Sequence, residues 1–184
     1  MSNTTNNPYD HEVAGCKDIF LKKTRDYGTS WRVLRTISVT DQIFIKAQRI
    51  RTIQEKGTQK VGDDIKGEFM GIVNYGIIGL IQLHLKGEAL EDLDPKTVED
   101  LYDGQAAFAR RIMLDKNHDY GEAWRDMSQQ GLTDLILMKL LRIRQILAND
   151  GKTIISEGID ANFTDIINYA LFALVLIREG KHEG

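Results

Sequence analysis

The chain has 184 residues, 42% hydrophobic and 28% charged, a globular composition that excludes a wholly disordered chain. Its 24 lysines and arginines against 27 aspartates and glutamates leave a net charge of −3. That balance speaks against broad nucleic-acid binding, which needs a basic surface to neutralise phosphates. Its lone cysteine, Cys16, permits no intramolecular disulfide and fits a reducing compartment. The polar start MSNTTNNPYD lacks a signal-peptide pattern, so a cytoplasmic location is expected.

Only two prolines interrupt the chain, which leaves room for long helices. The first expected helix starts at Asn7-Pro8, a capping residue followed by a proline at the first helical position. Val13, Cys16 and Phe20 make its apolar stripe, and Gly28 ends it with a left-handed cap. The second begins at Thr40-Asp41, where the threonine caps and the aspartate meets the helix dipole, and runs to Gly57. The third carries Ile65, Phe69, Ile72 and Gly76. Lys86 to Lys96 reads as a linker.

A fourth helix starts at Asp94-Pro95, with Val98, Leu101, Phe108 and Ile112 at helical spacing, and ends at Gly121. A fifth begins at Thr133-Asp134 and runs to about Gly151, and a sixth carries Ile159, Phe163, Ile166 and Ala170. The longest apolar stretch, Tyr169 to Ile177, falls short of the roughly 20 residues a bilayer span needs. It reads as a buried core helix, and no membrane partner is expected. No stretch alternates with period two, so no strand is expected.

The six helices are three helices written twice. DYGTSWR at 26–32 recurs as DYGEAWR at 119–125, an offset of 93 residues. At that offset TDQIFIKAQRIRTIQ (40–54) faces TDLILMKLLRIRQIL (133–147); at 94, VGDDIKGEFMGIVNY (61–75) faces ISEGIDANFTDIINY (155–169). These blocks share 18 of 37 positions, against about 6% by chance, so duplication is the reading. The expected architecture is all-α: two tandem three-helix repeats, residues 1–88 and 89–184, packed as one pseudo-twofold helical bundle.

Three features carry chemistry. In the DYGxxWR corner, Asp26, Tyr27 and Trp31, and their counterparts Asp119, Tyr120 and Trp124, are either a helix stop with an aromatic anchor or a platform for a base and a phosphate. Lys46 with Arg49, and Lys139 with Arg142, place two cations on one helix face. They are either solvated residues with apolar stems or an inward pair needing an anionic partner, a carboxylate or a ligand phosphate.

The third feature is the polar stripe of the third helix. With Glu157 at zero, Asn168 lies at about 20°, Asp165 at about 80° and Asp160 at about −60°. Converging acids there suit Mg²⁺; alternatively they neutralise the Lys/Arg pair, and Asn74 and Asn168 are structural bridges between helices. The first copy keeps only Asp63 and Asn74, with Lys66 and Gly71 replacing two acids and Glu68 further round, near 140°. One site centred on the second copy, or a composite at the interface, is therefore expected. The His118-Asp119 dipeptide is discounted as a metal motif, because the first copy reads Arg25-Asp26 there.

The pattern K-x-x-DYG-x-x-W, then T-D with K-x-x-R-I, then an acidic segment leading to I-x-N-Y, resembles the nucleotide modification associated domain 1 family. The second copy carries it through Lys116, Asp119, Tyr120, Gly121, Lys139, Arg142, Glu157, Asp160, Asp165, Asn168 and Tyr169. The first carries it through Lys23, Asp26, Tyr27, Gly28, Lys46, Arg49, Asn74 and Tyr75. The two-copy arrangement resembles a Bacteroidetes-type subgroup. The step Glu157-Gly158-Ile159-Asp160 is similar to that of MazG-like all-α nucleotide pyrophosphohydrolases, although Lys139 and Arg142 stand where those enzymes place two further glutamates.

The resemblance implies a nucleotide-handling protein, with a Mg²⁺-dependent nucleoside triphosphate pyrophosphohydrolase as the leading expectation. Glu157, Asp160 and Asp165 would then hold the metal. Lys139, Arg142, Lys46 and Arg49 would neutralise the phosphates of a nucleotide or similar phosphorylated molecule. The rival is a non-catalytic nucleotide-binding or helical oligomerisation module, a homo-oligomer included, whose charged residues form internal ion pairs.

Overall fold

A computed structural model describes residues 6–86 and 92–184. The expected boundary between repeats, at 88/89, and the middle of the expected linker lie outside the described residues. The chain forms α1 (Asn6–Tyr27), α2 (Thr36–Lys56), α3 (Ile65–Leu85), α4 (Pro95–Tyr120), α5 (Gln129–Ala148) and α6 (Ile159–Arg178). Short 3₁₀ turns, Ser30–Val33 and Ala123–Asp126, follow α1 and α4. No strand occurs among the described residues. The bundle is all-α and holds two tandem three-helix units.

Local chemistry sets the ends. Asp94 caps α4 by accepting from the Thr97 amide at 3.0 Å, with Pro95 at the first helical position. Asp64 caps α3 through the Gly67 amide at 2.6 Å. Gly57 closes α2 in the left-handed conformation at φ 71°. The second helix of each unit starts four residues earlier than the threonines imply. Thr40 and Thr133 do not cap; each hydroxyl donates one turn back, to the carbonyls of Thr36 and Gln129. Ser128 caps α5 instead. Gly121 is not a left-handed cap, because its φ of 64° comes with ψ of −149°.

α3 and α6 form the central pair, as their apolar surfaces require. Each passes the length and composition test for a bilayer span, but most of each apolar window is buried inside the protein. Small residues let the two backbones approach. A Cβ at Gly76 would stand 2.6 Å from Ile167 Cγ1, and one at Gly79 2.9 Å from the Phe163 ring. The buried face of α4 is Val98, Tyr102, Ala109 and Met113; the expected Leu101, Phe108 and Ile112 sit half-buried on its flank.

Equivalent helices pack on each other across a pseudo-twofold axis: α1 on α4, α2 on α5, α3 on α6. The polar contacts repeat reciprocally. Tyr9 donates to Asn168 Oδ1 at 2.7 Å, and Tyr102 donates to Asn74 Oδ1 at 2.8 Å. Each asparagine also holds its own unit's first helix, through the Ala109 and Cys16 carbonyls. Lys17 meets Asp103 while Arg110 meets Asp10; Arg51 meets Asp134 while Arg144 meets Asp41. The buried phenol–amide bonds lock the axis, and the exposed ion pairs around it add little each.

Candidate functional site

Each unit forms a pocket within itself, at matching places: the end of its first helix, the 3₁₀ corner, and one face of its third helix. The first is about 450 Å³ and includes Lys23, Trp31, Lys46, Glu68, Gly71 and Tyr75. The second is about 360 Å³ and includes Lys116, Trp124, Lys139, Asp165, Tyr169 and Phe172. Neither is a composite of the two units.

In the second unit Asp165, with its side chain 7% exposed, takes the Lys139 ammonium on Oδ2 at 2.8 Å and the Lys116 ammonium on Oδ1 at 2.7 Å. Three helices thus converge on one carboxylate. Burial works against the charge on Lys116, but the hydrogen bond and charge of Asp165 outweigh it and raise the pKa of the ammonium above its ordinary value. Burial, with Asp165 beside it, also pushes the Tyr169 phenol up.

In the first unit the acid stands one helical turn earlier. Glu68 corresponds to Asn162, and Gly71 to Asp165. Glu68, with 9% of its side chain exposed, takes Lys46 at 3.5 Å and Arg49 at 3.1 Å. Arg49 also donates to the carbonyls of Asp63 at 2.6 Å and Val61 at 3.3 Å. Gly71 makes this possible, since a Cβ there would lie 2.8 Å from Lys46 Cε. The lysine runs across the bare backbone to reach Glu68.

The transposition leaves different cations over. Lys23, the counterpart of Lys116, has no ion-pair or hydrogen-bond partner among the described residues, and it lines the first pocket. Arg142, the counterpart of Arg49, is exposed and has no carboxylate partner among the described residues; its guanidinium lies 3.7 Å from Met138 Sδ.

The corner residues divide likewise. Asp26 and Asp119 are exposed and line neither pocket; Tyr27 and Tyr120 line the mouths, 72% and 76% exposed. Trp124 is buried and stacked on Phe172 at 4.2 Å and 5°, with the Arg125 guanidinium 4.6 Å from its ring. That corrects its expected role as a base platform, because its stacking surface is already used. Trp31 is only partly buried and meets Phe20 at a 42° tilt. The indole N–H of each tryptophan is buried without an acceptor among the described residues.

The expected metal set does not assemble. Glu157 precedes α6 and is exposed, Asp160 is exposed outside the pocket, and both oxygens of Asp165 hold ammonium groups. Among the described residues no three His, Cys, Asp or Glu side chains form a metal-holding group. Mg²⁺ needs free carboxylate oxygens, so this donor set does not fit it. His118 is exposed and, among the described residues, reaches only Asp119.

Sequence reasoning passed over three groups. Glu68 lay too far round the helix, measured from Asp63, because Asp63 precedes α3. The lysines 23 and 116 entered only through the family pattern. The reciprocal tyrosines were legible: Tyr9-Asp10 and Tyr102-Asp103 repeat at the 93-residue offset.

Residues 23–83 and 116–177 each match the family model described as nucleotide modification associated domain 1. Each match starts at a pocket lysine, Lys23 or Lys116. No curated protein and no solved structure matches the chain.

Proposed function

The chain belongs to the nucleotide modification associated domain 1 family, in two copies, and from that membership we propose that it binds nucleotides rather than hydrolysing them with a metal. The observation that carries the reading is the repeated pocket, which places lysines beside aromatic rings within a volume suited to a nucleotide. Lysine ammonium groups attract phosphate as point charges, and ring faces take a base by stacking.

The pyrophosphohydrolase reading is less well supported. It needs carboxylate oxygens free for Mg²⁺, whereas Asp165 is engaged by Lys116 and Lys139 and Glu68 by Lys46 and Arg49. The acids then serve to hold the cations in place, since an inward lysine without a partner is costly.

Thermal shift and pyrophosphate release, measured on the full chain with a panel of ordinary and base-modified nucleotides, test the proposal. Nucleotides should raise the melting temperature, and neither Mg²⁺ nor Mn²⁺ should bring about pyrophosphate release. Absence of any shift overturns the binding reading; metal-dependent release overturns its non-catalytic part.

A further inference from the structure

We propose that the ligand site is the first unit's pocket alone, and that it takes a nucleoside monophosphate, with the phosphate on Lys23 and the base beside Trp31. The assignment rests on the nucleotide-binding reading and narrows it to one pocket and one phosphate. It reverses the sequence expectation of a site centred on the second copy.

Three independent differences point the same way. The first is charge. In the second unit both lysines are consumed by Asp165, so an incoming phosphate has to displace a carboxylate already in place. In the first unit Glu68 takes Lys46 and Arg49, and Lys23 is left uncommitted at the pocket among the described residues. The cause is the one-turn transposition of the acid, Glu68 and Gly71 against Asn162 and Asp165.

The second difference is the ring. Trp124 has a parallel partner in Phe172 and is 6% exposed, whereas Trp31 is partly exposed and only edges onto Phe20. Only the first unit offers an indole with surface to spare. Its buried N–H, like that of Trp124, has no acceptor among the described residues, so the two units do not differ in that respect. Gln82 fixes this corner by donating to the carbonyls of Arg32 and Leu34, each at 2.9 Å.

The third difference is room. The first pocket is the larger, about 450 against 360 Å³.

The number of phosphates follows from the acids. Asp63, Asp64 and Glu68 line the same pocket as Lys23. A single ammonium offsets only part of the charge of even one phosphate, which carries about −1.5 to −2 at neutral pH. The further phosphates of a di- or triphosphate would meet those carboxylates, and like charges a few ångströms apart repel. Among the described residues no group of three or more His, Cys, Asp or Glu side chains seats a metal there ahead of the ligand, and EDTA removes any cation that a triphosphate would bring with it.

Calorimetric titration of the full chain in EDTA with dAMP, dCMP, dGMP and dTMP, and with the matching triphosphates, is the test. The expected result is one site per chain and a monophosphate preferred by about tenfold or more, the scale of one good charge contact. Lys23→Gln should weaken monophosphate binding by about tenfold while Lys116→Gln changes it less than about twofold. Lys23 is exposed and has no ion-pair partner among the described residues, so its loss leaves the fold intact, as an unchanged melting temperature will register. The double change E68N/G71D writes the second unit's arrangement into the first; it should tie up Lys23 and weaken binding as K23Q does.

Two sites per chain, tighter triphosphate binding, or a loss confined to K116Q overturns this assignment and leaves nucleotide binding standing. Failure of every nucleotide to bind overturns both.

Discussion

Tyr9 and Asn168 lie 159 residues apart in the chain and 2.7 Å apart in the fold. The phenol of one unit donates to the central-helix amide of the other, and Tyr102 with Asn74 repeats the bond in reverse. These two bonds join the units on the two sides of the pseudo-twofold axis, around the packed α3–α6 pair.

Asn168→Ala should destabilise by about 1–3 kcal/mol, because it leaves the Tyr9 hydroxyl buried without its acceptor, while the Ala109 carbonyl, inside α4, keeps its helical hydrogen bond. For a chain of this size that lowers the melting temperature by about 2–4 °C per kcal/mol. Tyr9→Phe removes one donor and should cost about 1 kcal/mol. Calorimetry of both variants checks the order.

Asp165→Asn should cost about 3–5 kcal/mol, since it leaves Lys139, with its side chain 11% exposed, without its carboxylate. Replacing the pair by apolar residues, Asp165→Leu with Lys139→Met, should recover most of the loss. A double variant no better than Asp165→Asn in urea unfolding would show that the ion pair is not the source of the cost.

Gly76→Ala should destabilise by about 1–3 kcal/mol through overpacking, because its new Cβ meets Ile167 Cγ1 at 2.6 Å between two packed helices. Adding Ile167→Ala should return part of that loss. Additive losses in the double variant would place the strain elsewhere.

The pH dependence should single out Glu12. It is buried, and burial raises its carboxyl pKa from an ordinary 4.5, with Lys66 opposing. A raised folded-state pKa means that the ionised form burdens the fold. The penalty grows as pH rises from about the unfolded value through the folded one, and it vanishes on protonation. Glu12→Gln, which copies the second unit's Gln105, should therefore raise the melting temperature at pH 8 by about 1–3 °C and change little at pH 4. Equal shifts at both pH values would refute the titration.

The duplication, the helix count and the burial of the third helices were legible, because they rest on patterns local in sequence. Ile65, Phe69 and Ile72 recur as Ile159, Phe163 and Ile166, and helical period alone requires a buried face. The starts of α2 and α5 were misplaced because a threonine that can cap can equally back-bond one turn inside a helix, and the chemistry of the residue does not choose between these. The metal set misled for a related reason. Angles around a helix say which acids share a face, but they do not say that Glu157 precedes the helix or that Asp165 is already held.

By itself, the sequence determined that one unit of about 93 residues is written twice, that both copies are helical, and that one helix of each carries cations and the next carries acids. Only the tertiary structure decided which cation meets which acid. A shift of one helical turn between Glu68 and Asp165 leaves composition and pattern almost unchanged. Yet ion pairing needs contact within about 4 Å, and that distance is set by how three helices pack. It is the packing that engages Lys116 and leaves Lys23 without an ion pair among the described residues.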